Sequence, residues 1–158
     1  MSWRRCLFGI AAACVLAVLA ALIGQYHYDM RPCPWCILQR FLFLVIALLA
    51  MVAAVITAPP VRRFFGALIT LLAGCTGAAA IWQHVVAAHS VSCNLTFADK
   101  VITALRLETL VPDLFGVTAS CADAAVSVLH VPFEFWSLAL AVLVALASLW
   151  ALLTKAAR

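Results

Sequence analysis

Four long apolar stretches dominate this chain, at about residues 6–24, 36–58, 64–83 and 134–154, and apart from Arg40 and Glu134 near their starts they carry no charged side chain. A helix needs about 20 mostly apolar residues to cross a bilayer. Lipid offers no partner to an unpaired backbone group, so spanning segments are helices or closed-barrel strands. Runs this long and continuous do not match the alternating, roughly 10-residue pattern of barrel strands. Composition agrees: 68% of the 158 residues are hydrophobic and 10% are charged, against about 45–50% and about 25% in soluble domains. One water-facing domain of this size cannot bury so much apolar surface, and disorder is excluded on the same ground. The net charge of +4 rests on too few charged residues for a nucleic-acid footprint. The expected fold is an all-α membrane protein, a four-transmembrane-helix bundle forming a single domain over residues 1–158. The first stretch has Arg4 and Arg5 in front and small residues around Leu19 and Ala20, as a signal peptide would. Signal cores usually run about 7–15 residues, however, so a retained first span is expected.

Lysine and arginine placement orients the bundle. Arg4, Arg5, Arg62, Arg63, Lys155 and Arg158 lie on short segments at one end, whereas Arg31, Arg40, Lys100 and Arg106 are spread over the longer connections at the other. All six acids, Asp29, Asp99, Glu108, Asp113, Asp123 and Glu134, share that second end. Both termini and the Pro59-Pro60 turn are therefore expected in the cytoplasm, with outer loops at about 25–35 and 84–132. Trp3, Trp35, Trp82, Trp136 and Trp150 fall near span ends, where amphipathic rings sit best. In the long loop, Val101, Ile102 and Leu105 recur near helical spacing among Lys100, Arg106 and Glu108, predicting a short surface helix over Asp99–Val111.

Seven cysteines divide in two. Cys6, Cys14 and Cys75 lie within spans, where cysteine packs as a small hydrophobe. Cys33, Cys36, Cys93 and Cys121 lie outside, in a compartment that permits disulfides. Cys33-Pro34-Trp35-Cys36 admits three readings. A structural disulfide there closes almost no loop and gains little from chain entropy. A four-cysteine zinc site lacks a second close pair, because Cys93 and Cys121 are far apart in sequence. A redox pair uses the short spacing directly: one thiol attacks and its neighbour resolves. The βαβ context of thioredoxins is absent, and the pair opens a membrane helix, so a redox partner would be lipid-soluble on one side and aqueous on the other.

Arg40 follows Cys36 by four residues, so on a helix the two share a face one turn apart. A fixed cation there would favour negative charge on the sulfur and could bond a carbonyl oxygen at the interface. A snorkelling arginine has the same spacing, and spacing alone does not choose. Gln39 beside it reads as a headgroup-level residue or a second polar contact. His84 and His89 follow the third stretch; His84 lies at about the depth of Cys36.

These residues resemble the DsbB family, the quinone-dependent thiol oxidases of bacterial membranes. The likeness rests on four spans with both ends inside, Cys33-Pro34-Trp35-Cys36 opening span two, the following Ile37-Leu38-Gln39-Arg40, and Cys93 with Cys121 in the long outer loop. It covers essentially the whole chain. It implies a bacterial inner-membrane enzyme that reoxidises a periplasmic thioredoxin-fold (DsbA-like) thiol oxidase. Reduced partner would attack a Cys93–Cys121 disulfide, Cys33–Cys36 would reoxidise that pair, and Cys36 would pass two electrons to ubiquinone or menaquinone held by Arg40. His84, in Trp82-Gln83-His84-Val85, matches a histidine that the family places near the quinone. Two departures stand out: Val126 replaces a frequent aromatic five residues after the last cysteine, and Leu129-His130-Val131-Pro132-Phe133-Glu134-Phe135-Trp136 alters the usual Gly-Leu-x-x-Pro-x-Trp start of span four. Vitamin K epoxide reductase-like enzymes are the related alternative, but they carry CxxC within a later span. A tetraspanin-type scaffold with structural disulfides would leave Arg40 without a role, and the Cys-Cys-Gly of that class is missing.

Overall fold

The computed structural model describes residues 3–87, 96–120, 122–124 and 126–156; Cys93, Cys121 and His89 lie outside them. Four helices are long and apolar enough to cross a membrane: α1 (Trp3–His27), α2 (Pro34–Val55), α3 (Pro59–Val85) and, after the loop elements, α7 (Phe133–Ala156). The protein is thus a multi-pass membrane protein with a four-helix bundle. Prolines set two of the helix boundaries. Pro34 opens α2 at a position where the missing N–H is no loss, behind Cys33 as N-cap. Pro59 and Pro60 open α3; Ala58, just before them, is extended, as the ring of a following proline demands, and Ile56, the C-cap of α2, is extended too. That is why α2 stops at Val55, short of the apolar run's end at Ala58.

The helices form a ring in which α1 packs on α2, α2 on α3, α3 on α7, and α7 returns to α1 through the loosest seam. Small side chains line the contacts: Ala11, Cys14, Ala47, Ala50, Ala53, Ala54, Ala73, Ala141 and Ala151 are all buried in one cluster. Close approach of backbones suits a membrane, where helix association draws on packing rather than on escape from water. Large apolar side chains point outward instead, among them Leu16, Leu71, Leu143 and Leu146. At one end Trp3, Gly66 and Leu152 meet, with the Arg62 guanidinium 4.9 Å from the centre of the Trp3 ring. The start of α1, the end of α7 and the Pro59-Pro60 turn lie there, since four helices alternate in direction.

The other end carries the loops. Here α4 (Phe97–Ala104), α5 (Leu107–Leu110), α6 (Pro112–Phe115) and a two-stranded hairpin, β1 (Ser127–Val128) with β2 (Val131–Pro132), precede α7. The single helix expected over Asp99–Val111 is broken into α4 and α5. A capping box in which Thr96 and Asp99 bond each other's backbone starts the helix two residues early, at Phe97. Arg106 then takes a left-handed φ of 52°, which ends the first piece. Ile102 from α4 is buried with Ile37 of α2, Leu107 and Phe115, so the loop helices are seated on the start of α2. The hairpin turn holds Leu129 and His130 at φ of 55° and 65°, a pair of values that two-residue turns need and that Asn-Gly satisfies more easily.

Gly66 tests the close packing. A Cβ there would come within 2.6 Å of Leu152 Cδ2 and 3.0 Å of the Trp3 ring. Gly66→Leu should destabilise the bundle by about 1–3 kcal/mol, read as a lower Tm in detergent. Gly9→Ala, where nothing lies within 4 Å, should leave Tm unchanged or slightly raised.

Candidate active site

The start of α2 places two sulfurs on one turn. Cys33 is the N-cap, with extended φ and ψ of −90° and 168°, and its Sγ accepts from the Cys36 backbone N–H at 3.4 Å. The two Sγ atoms are 3.0 Å apart, so closing a disulfide requires only a small side-chain shift. Their surroundings differ. Cys33 is fully buried, in a cluster with Trp35, Leu38, Ala79, Ala98 and Ala124, and so faces the loops. Pro32, just before it, accepts backbone N–H bonds from Thr118 and Ala119, which fastens the second outer loop to the first beside this sulfur. Cys36 is only partly buried and lines a cavity of about 930 Å³.

The cavity opens at the loose α1–α7 seam. Ala17, Ala20, Ala21 and Ile23 of α1 and Phe133, Trp136 and Leu140 of α7 supply much of an apolar wall, and Val126–Leu129 of the hairpin cover one side. Its polar lining from α2 and α3 is compact: Cys36, Gln39, Arg40 and Gln83. Gln83 donates from Nε2 to Cys36 Sγ at 3.3 Å and accepts at Oε1 from Gln39 Nε2 at 2.8 Å. Arg40 is 7% exposed. Its guanidinium donates to Gln25 Oε1 at 2.7 Å, to the Leu114 carbonyl at 3.3 Å and to the Ala21 carbonyl at 3.4 Å. Among the described residues these use three of five N–H groups, which leaves donors for a further oxygen. The positive end of α2 and this cation both favour negative charge near the Cys36 sulfur.

Of the residues singled out in the sequence, Cys33, Cys36, Arg40 and Gln39 therefore meet at one site. His84 is one step removed: it is not among the cavity's lining residues, and its Nδ1 lies 2.7 Å from Oε1 of Glu134, which is. Gln83, Gln25 and Glu134 were not picked out from the sequence. The available signal was polarity in apolar surroundings, since a polar group buried in a spanning segment is costly and tends to mark function. Gln83 is 5% and Glu134 6% exposed.

A vicinal dithiol at the mouth of a membrane helix, with a cation and amide donors around a lipid-facing cavity, defines a membrane thiol–disulfide oxidoreductase. The family model for the disulfide bond formation protein DsbB matches residues 3–151. Similar curated proteins include disulfide bond formation protein B of Pseudomonas syringae pv. tomato, 34% identical over 90% of this chain and 85% of that protein. That of Herminiimonas arsenicoxydans is 31% identical over 90% of each, and disulfide bond formation protein B 1 of Pseudomonas syringae pv. syringae is 36% identical over 90% and 85%. No solved structure matches. The chain belongs to the DsbB family and is a disulfide-forming oxidoreductase.

The asymmetry of the two sulfurs sets a labelling order. In the reduced protein a small alkylating reagent should modify Cys36 roughly tenfold faster than Cys33, as read by peptide mass spectrometry over time. Faster labelling of Cys33 would contradict the burial described.

Proposed function

We propose that the protein reoxidises a reduced thioredoxin-fold thiol oxidase of the bacterial periplasm and delivers the electrons to a membrane quinone, ubiquinone or menaquinone. The observation that carries this reading is the position of Cys36, with one side against Cys33 and the other on a cavity lined by Arg40, Gln39 and Gln83. The proposed sequence starts at Cys93 and Cys121. The partner's thiolate attacks their disulfide, giving a mixed disulfide; the partner's second thiol then displaces Cys93 or Cys121 and leaves oxidised. The reduced loop pair is reoxidised by exchange with the Cys33–Cys36 disulfide. Charge asymmetry supports the sidedness. Arg4, Arg5, Arg62 and Arg63 gather at the end with the termini, which the positive-inside rule puts in the cytoplasm and the dithiol in the periplasm, where disulfides persist.

The cavity's residues fit a quinone. Arg40 retains N–H donors, the two glutamines sit beside Cys36, and the α1 and α7 walls are apolar enough for a polyprenyl tail. A bound quinone supplies a sink for two electrons and two protons. The chain's own residues do the rest. Gln83 steadies the Cys36 sulfur by its N–H bond. Gln39 holds the Gln83 amide so that its N–H, and not its carbonyl, points at sulfur. Arg40 is fixed by acceptors on α1 and before Gly116, so it presents positive charge without the reorganisation that a free side chain needs. The apolar α1 and α7 walls border the sulfur on the cavity side. His84 acts here through Glu134.

The purified protein, mixed with a reduced thioredoxin-fold oxidase and ubiquinone-1, should bleach the quinone absorbance. Cys33→Ser, Cys36→Ser, Cys93→Ser and Cys121→Ser should each abolish turnover, and Cys6→Ser, Cys14→Ser and Cys75→Ser should keep it. Full activity in Cys36→Ser would overturn the relay. Arg40→Ala should raise the KM for ubiquinone-1 by about 10- to 100-fold, the loss of a charge-assisted hydrogen bond. Unchanged KM and kcat would return Arg40 to a purely structural role.

A further inference from the structure

Glu134 is an acid where an acid is costly. It sits in the first turn of α7, 6% exposed, and it is the one carboxyl among the described residues lining the cavity. Its Oε1 is 2.7 Å from Nδ1 of His84, in the last turn of α3. The His84 side chain is 41% exposed at the loop end of the bundle, and its ring is braced against Phe135 at 4.7 Å between centroids. One partner thus faces the cavity and the other faces outward, and the bond between them bridges the two environments.

We propose that Glu134, recharged through His84, is the proton donor to the electron acceptor in the cavity. This rests on the quinone reading above. Oxidising the Cys33–Cys36 dithiol forms one S–S bond and releases two electrons and two protons. Reducing a quinone to quinol consumes two of each, at two oxygens. A cysteine that reacts as thiolate has already lost its proton to water on the loop side, so the acceptor oxygens draw on another donor. Gln39 and Gln83 carry no acidic proton, and a guanidinium is not deprotonated in proteins. Tyr28, the one ring hydroxyl among the described residues lining the cavity, is 75% exposed. The Glu134 carboxyl passes one proton to the nearer acceptor oxygen, and the farther oxygen takes the second from water. The resulting carboxylate takes one from His84 Nδ1, and the imidazole regains one from water at Nε2. Imidazole suits this relay because its two nitrogens exchange donor and acceptor roles between tautomers.

A plain ion pair pinning α7 to α3 would have the same geometry, so the test separates position from proton transfer. The titratable groups around Glu134 are His84 from α3, which bonds it, and, on the same cavity, Cys36 and Arg40 from α2 and Tyr28 after α1. With saturating reduced thioredoxin-fold oxidase and ubiquinone-1, Glu134→Gln should lower kcat by about 10- to 100-fold while KM changes less than about threefold. The loss should deepen as pH rises, because water alone then supplies the proton. Glu134→Asp should recover much of the rate, and His84→Asn should reproduce the pH effect in weaker form. Independently of turnover, the redox-induced infrared difference spectrum of the quinone-loaded protein should contain a carboxyl C=O band that Glu134→Gln abolishes. An unchanged pH profile and an unchanged carboxyl band in Glu134→Gln would overturn the proposal, as would a loss of kcat matched by a fall in Tm with the band intact. If the wild-type protein reduces neither ubiquinone-1 nor a short-chain menaquinone, the quinone reading falls and takes this relay with it.

Discussion

The buried Arg40 guanidinium is the interaction on which the rest of the site depends. A cation in a spanning helix costs at least about 2.5–3.5 kcal/mol by insertion scales, and burial is tolerated only when its N–H groups find acceptors. Here the acceptors come from three places: Gln25 Oε1 and the Ala21 carbonyl on α1, and the Leu114 carbonyl from the second outer loop. Satisfying one charge therefore ties α1, α2 and the loop together at the end where the dithiol sits. The same bonds fix the cation one turn from Cys36, on the cavity that this sulfur lines.

Under the proposed function, the start of α2 divides two chemistries that must not mix. Cys33 faces loop residues and Cys36 faces the cavity, yet 3.0 Å separates the sulfurs. Thiol–disulfide exchange needs an aqueous partner and a path to sulfur; transfer to a lipid-soluble acceptor needs an apolar chamber without water. A helix N-terminus at the bilayer edge serves both, because its cap residue belongs to the loop and its first turn belongs to the span. The loose α1–α7 seam gives that chamber an apolar side.

Much of this was legible in the sequence. The four spans were, because length and hydrophobicity alone decide them, and so was the meeting of Cys33, Cys36 and Arg40, because they share two turns of one helix; Gln39, which also read as a headgroup-level residue, is instead buried against Gln83. What required the fold was contact between distant segments. Nothing in the chain's order says that Gln83 reaches Cys36, that Gln25 receives Arg40, or that His84 meets Glu134 fifty residues on. His84 was found by its position near a span end, but the carboxyl that stands between it and the cavity was not, since Glu134 reads as an ordinary acid in the first turn of a helix. The break at Arg106 was equally hidden: Val101, Ile102 and Leu105 keep helical spacing right up to it, and the left-handed residue that stops the helix is one whose side chain gives no warning.

Photolabelling tests the central claim most directly. A short-chain azidoquinone, irradiated with the purified protein and mapped by mass spectrometry, should attach to segments that wall the cavity, around Ala21 to Gly24 of α1 and Phe133 to Leu140 of α7, and excess ubiquinone should compete it away. Labelling confined to the opposite end of the bundle, near Arg62 and Leu152, would place the acceptor far from the dithiol and contradict the account.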